Sequence, residues 1–331
     1  MKKSTKKKKS KKVSAKIAIP PRRQHAKRFA SIDVGSNGIR MVIGELSQRT
    51  GLTPLVTFRE AVRLGQDVFR DGYIREPTAR KAAKAFIKFH KIMKKARVKN
   101  YMAVATSAVR DARNSREFIK YLKLKSGLHL DVIDGFREGK LIHTAISSRM
   151  NLVNQIAVMI DIGGGSVELS ISKYGKITAV ETFRLGTVRM VNQTDMHFFG
   201  KKGLRIEKIL KKSQKEIASF LKRHIGGASH FTFIGTGGNI ECLGELKPLM
   251  LRKENIMKLS LSELAIMTKR LDKMSYDERI KKLKLRADRS DVILPACLAL
   301  KMVMTSCKAK SVTIPRVGLK DGVLIEIARR A

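Results

Sequence analysis

The sequence predicts an α/β protein of two related lobes, and three stretches predict it. In the first, the apolar run Phe29-Ala30-Ser31-Ile32-Asp33-Val34 breaks into Gly35-Ser36-Asn37-Gly38 and resumes as Met41-Val42-Ile43. The second repeats that layout: Ile156 to Asp161, then Gly163-Gly164-Gly165-Ser166, then Val167 to Ile171. The third, Phe231 to Ile234, runs into Gly235-Thr236-Gly237-Gly238-Asn239. Short apolar runs on either side of a glycine turn read as hairpins. Two hairpins of one layout read as an internal repeat, hence as two lobes, each opening on a turn able to face phosphate.

Residues 1–28, ahead of the first hairpin, hold 13 Lys and Arg and no acidic residue. Such a segment cannot bury a core and predicts a basic disordered arm. Its apolar stretch, Val13 to Ile19, is short and broken by Lys16, so it does not read as a secretory signal. Between the hairpins, Ala83, Phe86, Ile87, His90 and Met93 recur at helical spacing. They predict an amphipathic helix over 77–96 with a lysine-coated outer face, followed by a strand over 101–105. Residues 240–246 read as a helix whose N-terminus would offer unpaired N–H groups to an anion. Residues 319–330 read as a terminal helix.

The 331 residues suffice for two medium cores, and the cysteines Cys242, Cys297 and Cys307 are too few and too scattered for a disulfide framework or a zinc ribbon. That usage, with no apolar run of the roughly 18 residues a membrane span needs, predicts a cytoplasmic protein without a membrane span. The net charge is +42, and the arm contributes 13 of 70 basic residues, so the remainder is strongly basic too. A charge of this size calls for a polyanionic partner: polyphosphate, nucleic acid or an anionic membrane. The arm itself is a candidate contact for nucleic acid or another polyanion.

Condensed phosphates need N–H or cationic donors along the chain and a divalent metal at the reacting group. Gly35, Gly163, Gly164 and Gly165 let the backbone approach phosphate oxygens, and Ser36, Asn37 and Ser166 add side-chain donors. Gly235, Thr236, Gly237 and Gly238 extend the phosphate-binding set. Asp33, Asp161 and Glu168 are the candidate metal ligands, for Mg²⁺, with Mn²⁺ served by the same oxygens. A single Asp-x-Gly is an ordinary turn signal; the combination of three turns points to phosphate. The histidines show no ligand spacing, and the methionines read as core filler.

The three turns resemble the phosphate-1, phosphate-2 and nucleotide-type motifs of the actin, Hsp70 and sugar-kinase superfamily. That resemblance implies an actin-like, ribonuclease H-like two-lobed fold with an interlobe phosphate-binding cleft. Further blocks resemble one branch, the exopolyphosphatase and guanosine-pentaphosphate phosphohydrolase (Ppx/GppA) family in its short two-domain form. They are Ile32 to Asn37, Val62-Arg63-Leu64-Gly65, Ala105 to Asn114, Ile160 to Glu168, Arg184 to Arg189 and Gly318 to Leu324. The resemblance runs from about residue 29 to 327. It implies lobe I over 29–133 plus the helix 319–331, and lobe II over 134–318.

In that family a glutamate after a Ser-Gly-x-Glu-Glu-Ala-like segment is the general base for water, and the corresponding stretch is Val132 to Ile142. Gly135 and Lys140-Leu141-Ile142 hold the register and put Glu138 on the catalytic position, while Arg137 and Gly139 replace the acidic residue and the alanine. Arg137 is expected either to depress the pKa of Glu138 or to bind substrate phosphate. Arg110 is implied to clamp a phosphate in the cleft, with a surface pair to Asp111 or Glu117 as the alternative. The implied activity is Mg²⁺-dependent hydrolysis of the terminal phosphate of polyphosphate, or of the 5′-phosphate of pppGpp, by Glu138-activated water. The basic body favours the longer polyanion. Longer family members add a helical region resembling an HD-type domain, which leaves processive handling of long chains open. Two other readings remain: a non-catalytic polyphosphate- or nucleic-acid-binding sensor, and an actin-like ATPase or kinase. A homodimer is left open.

Overall fold

The computed structural model describes residues 20–22, 26–193, 202–226, 228 and 230–331, so the expected basic arm lies mostly outside the described residues. The chain opens with β1 (Lys27–Gly35), β2 (Gly38–Ser47) and β3 (Gly51–Glu60), then α1 (Leu64–Asp71), α2 (Glu76–Lys95), β4 (Asn100–Ala105), α3 (Ser107–Asp111), α4 (Ser115–Ser126) and β5 (Asp131–Val132). The five strands form one sheet in the order β3-β2-β1-β4-β5. β1 pairs antiparallel with β2 and parallel with β4. β1 is buried on both faces, which is why apolar residues occupy alternate and adjacent positions along it from Phe29 to Val34, interrupted only by Ser31 and Asp33.

After α5 (Gly135–Ser147) come β6 (Ile156–Ile162), β7 (Val167–Lys173), β8 (Lys176–Phe183), α6 (Thr187–Asn192), α7 (Lys202–Ile225), β9 (Thr232–Thr236) and α8 (Gly238–Leu251). β10 (Lys258–Ser260), α9 (Leu261–Lys273), α10 (Tyr276–Leu283), α11 (Ala287–Ser290), α12 (Ile293–Ser306), β11 (Ser311–Thr313) and α13 (Leu319–Arg329) complete the chain. The second sheet runs β10-β11-β9-β6-β7-β8. Read from β8, its first five strands repeat the order and directions of the first sheet, with β6 antiparallel to β7 and parallel to β9, and β10 is added antiparallel at the far edge. The internal repeat seen in the hairpins is thus a repeat of whole sheets.

Among the described residues three large apolar cores result, with a small fourth cluster of Val188, Val191 and Val292. One lies between the first sheet and α2 and α4, around Phe86, Phe89 and Leu122. Another joins the second sheet to α7, α8, α9 and α12. The third joins the inner faces of both sheets through α5 and α13, with Phe29 and Val104 from one side and Ala157 and Met159 from the other. The two helices cross backbone to backbone at Gly322, where a Cβ would overlap the Leu141 carbonyl. In α2, Pro77 at the start, Glu76 in the first turn and Lys94 and Lys95 in the last suit the helix dipole. No helix among the described residues is long and apolar enough to cross a membrane.

Candidate active site

The two hairpin turns meet in the cleft between the sheets. A Cβ on Gly164 would lie 2.9 Å from Ser36 Cβ, so only glycine lets the second turn come this close to the first. The carbonyls of both turns are occupied by protein donors. Ser36 O accepts from Gly65 N at 2.9 Å, Gly163 O from Thr187 N at 3.0 Å and Gly164 O from Val188 N at 2.8 Å. Arg189 Nε donates to Gly165 O at 2.8 Å. Oxygens that would repel a phosphate are therefore engaged on the protein side.

Glu138 stands in the first turn of α5. Asp134 caps that helix, accepting from Arg137 N at 2.7 Å, and so sets the turn that carries Glu138 inward. Glu138, Asp161 of β6 and Glu168 of β7 bring carboxylate oxygens within 4.8 Å of one another. Asp161 and Glu168 face each other directly in the β6–β7 register. Thr236 Oγ1 donates to Asp161 Oδ1 at 2.6 Å, whereas Glu138 Oε2 and both Glu168 oxygens are buried without a protein partner.

Burial is the largest cause of the raised pKa values here, and mutual repulsion adds to it. Asp161 is pushed up to about 6 and Glu168 to about 8. Glu138 also titrates well above the ordinary glutamate range, from burial first and then Glu168 and Asp161. Three crowded carboxylates with three unpartnered oxygens between Glu138 and Glu168 form a donor set suited to a hard divalent cation. Asp33 is outside this group: its Oδ2 accepts from Arg40 Nη1 at 3.2 Å, and burial still raises its pKa.

The cleft is lined by Asp33, Gly35, Ser36, Asn37, Glu138, Asp161, Gly163, Gly164, Ser166, Gly237 and Gly238 from the sequence-derived set. Gly165, Glu168, Gly235, Thr236 and Arg110 stand behind that lining. Gly165 is packed under the backbone around Gly186, and Gly235 against Val312 and Ile240. Asn37 spends its donor on the Asp288 carbonyl at 2.7 Å. Arg110 Nη1 donates to Ile133 O at 2.8 Å, and its charge opposes the pKa rise of Glu138 and Glu168. Asp111 instead pairs with Arg189 at 2.6 Å and Arg184 at 3.3 Å. Cys242 is partly buried, and burial pushes its thiol up to about 11.

Arg137 has a different role from either expected one. It pairs with Glu326 on α13, so it serves the α5–α13 contact, and the pKa of Glu138 moves up rather than down. Gly139 follows from packing: a Cβ there would lie 2.9 Å from Val180 Cγ1 and 3.0 Å from Ser170 Oγ.

Sequence reasoning missed the basic side chains that line the cleft. Arg40 and Arg289 both reach Gly238 at the start of α8; a Cβ on that glycine would lie 2.7 Å from Arg40 Nη2 and 2.9 Å from Arg289 Nη2. Gly237, at φ +90°, makes the turn that exposes this helix end. Arg289 is buried, donates to Asn239 Oδ1, and has its pKa lowered to about 10 by burial. Lys320 also lines the cleft and pairs with Asp321 at 2.6 Å. Arg40 had a local signal, as the single charge in the apolar run from Ile39 to Ile43. Arg289 had none, since α11 reaches the cleft only through tertiary pairing of Asp288 with Arg59 and of Asp291 with Arg63 at 2.7 Å.

Fold and site define a class: a doubled, ribonuclease H-like sheet of the actin-like kind, with glycine turns meeting in an interlobe cleft. The chain belongs to the Ppx/GppA phosphatase family, which matches it over residues 42–331. It resembles the crystal structure of an exopolyphosphatase from Cytophaga hutchinsonii with a TM-score of 0.84 and 24% identity, covering 92% of this chain and 99% of that one. The crystal structure of the Aquifex aeolicus Ppx/GppA family member gives 0.74 and 22%, covering 92% and 98%. By sequence, the chain is 27% identical over 224 residues to a bifunctional 3-dehydroquinate synthase/phosphatase of Fusobacterium nucleatum, covering 63% of this chain and 32% of that protein. It is 30% identical over 143 residues to exopolyphosphatase 1 of Mycobacterium leprae, covering 43% and 42%. The chain thus spans less than half the length of these two curated relatives.

Proposed function

We propose that this protein hydrolyses the terminal phosphoanhydride bond of inorganic polyphosphate. The observation that carries the reading is the approach of Glu138, Asp161 and Glu168 within 4.8 Å, in a cleft that Arg40, Arg289 and Lys320 also line. Cations beside a carboxylate cluster suit a polyanion: they can bind successive phosphates while the terminal group meets the carboxylates. Names of relatives support the same substrate, since two of them are called exopolyphosphatases.

Glu138 is the general base. Its raised proton affinity suits removal of a proton from water attacking in line, and no acceptor pocket is needed. Asp161 and Glu168 would hold a divalent cation, Mg²⁺ or Mn²⁺, which when bound blunts the charge on the reacting phosphoryl group. Asp33 orients Arg40 toward the substrate chain. We assign the division into lobes to residues 29–133 with 319–331, and 134–318.

Substrate preference has its own support. Among the described residues lining the cleft there is no aromatic side chain to stack on a guanine base, which favours polyphosphate over pppGpp. Phosphate release from polyphosphate and from pppGpp, measured side by side with Mg²⁺, tests this. Faster release from polyphosphate supports the assignment; preference for pppGpp reverses it. Binding of either without release supports the non-catalytic sensor instead.

A further inference from the structure

We propose that the pole of the first sheet opposite the cleft is a docking surface for double-stranded nucleic acid, gripped through its phosphate backbone. The topology creates this pole. β1 and β4 run parallel and both end at the cleft, where Gly35 and Thr106 lie. Four residues join the end of α2 at Lys95 to the start of β4 at Asn100, so α2 runs back from the cleft and ends at the opposite pole. α4 precedes β5, which is parallel to β4, and ends at the same pole.

Lys94, Lys95, Arg97, Lys99, Lys123 and Lys125 are exposed there, and none has an ion-pair partner among the described residues. The acidic neighbour, Asp131, is engaged by His129 at 2.9 Å. The first described part of the basic arm is fixed to this same pole. Arg28 donates to Ala96 O at 3.3 Å and to Pro20 O at 2.6 Å, and its carbonyl accepts from Lys99 N at 3.2 Å.

Three features select the occupant. The cations spread over a face built by two helices and a turn; they do not file toward the cleft as a single substrate strand would require. Among the described residues the exposed aromatic rings, Tyr73, Phe136 and Tyr174, lie on other segments, and Tyr121 of α4 is half-buried with Lys125 Nζ 5.9 Å over its ring, so a duplex backbone fits better than a stacked single strand. Leu124, 80% exposed, is the one large apolar side chain presented on these segments, far short of the apolar face that inserts into a membrane.

The test uses full-length protein and fluorescence anisotropy with two 24-base-pair DNA duplexes of unrelated sequence, from about 50 to 200 mM salt. The variant carries Lys94→Glu, Lys95→Glu, Lys123→Glu and Lys125→Glu. A control reverses four exposed lysines of α7, Lys208, Lys211, Lys212 and Lys215. Circular dichroism melting establishes that both fold. The expected result is equal wild-type affinity for both duplexes, a loss of at least about tenfold in the pole variant only, and a log–log salt slope shallower by about 3 to 4. Equal losses in both variants, or unchanged binding in the pole variant, overturn the proposal. So does a pole variant that loses binding to phosphatidylserine vesicles or to polyphosphate while keeping its affinity for DNA.

Discussion

Glu138 of α5 and Glu168 of β7 bring carboxylate oxygens within 4.8 Å of each other, and neither Glu168 oxygen has a protein partner. Two buried acids in this relation cannot both be charged without a cation or a shared proton. The protein's stability is therefore expected to vary with pH, and a divalent cation held between the two acids would offset their repulsion.

In chelator, the folded-state values of about 6 for Asp161 and about 8 for Glu168 stand above the ordinary 3.8 and 4.5, so the folded protein holds protons that the unfolded chain releases. Their stabilising contribution is complete below about pH 4 and is lost as pH rises through 6 and then 8. Between pH 5.5 and 9 the melting temperature in chelator is expected to fall more steeply than in Mg²⁺. Glu168→Gln is expected to raise stability in chelator at pH 9 by about 2 kcal/mol, or roughly 3 °C in melting temperature for a chain of this length. Calorimetry at the two pH values checks both; parallel curves for wild type and variant would remove the cluster from the account.

Arg289→Ala is expected to raise KM for polyphosphate by roughly 10- to 100-fold, the size of one charge-assisted contact, with a smaller change in kcat. Its guanidinium reaches Gly238 at the start of α8 and is expected to bind the phosphate chain. Steady-state kinetics separate the two parameters. A fall in kcat alone contradicts this placement.

Gly186→Ala is expected to cost about 3 kcal/mol or more, because a Cβ there would overlap the backbone of Gly165 and push the second turn out of place. Gly318→Ala, with nothing within 4 Å of the added carbon, is the matched control and should melt like the wild type. Thermal melting of the pair decides it.

Much of this architecture was legible in the chain, for local reasons. The hairpin strands, α2 and β4 follow from apolar runs, glycine turns and helical spacing. The predicted helix over 77–96 matches α2 at Glu76–Lys95, and that over 319–330 matches α13 at Leu319–Arg329. Sequence reading put Glu138 and Asp161 on the segments that now carry them to one point. It misjudged Arg137, because the partner that takes it, Glu326, arrives from the other end of the chain. It could not find Arg289, which depends on pairings of α11 with Arg59 and Arg63. Residues whose function comes from a neighbour distant in sequence leave no periodic or motif signal.

The most direct measurement is orthophosphate release from polyphosphate with Mg²⁺ by the wild type and by Glu138→Gln, with substrate binding followed in parallel. A general base predicts a loss of roughly 10²- to 10⁴-fold in kcat with binding retained. Release by the variant at the wild-type rate, or no release by the wild type, contradicts it.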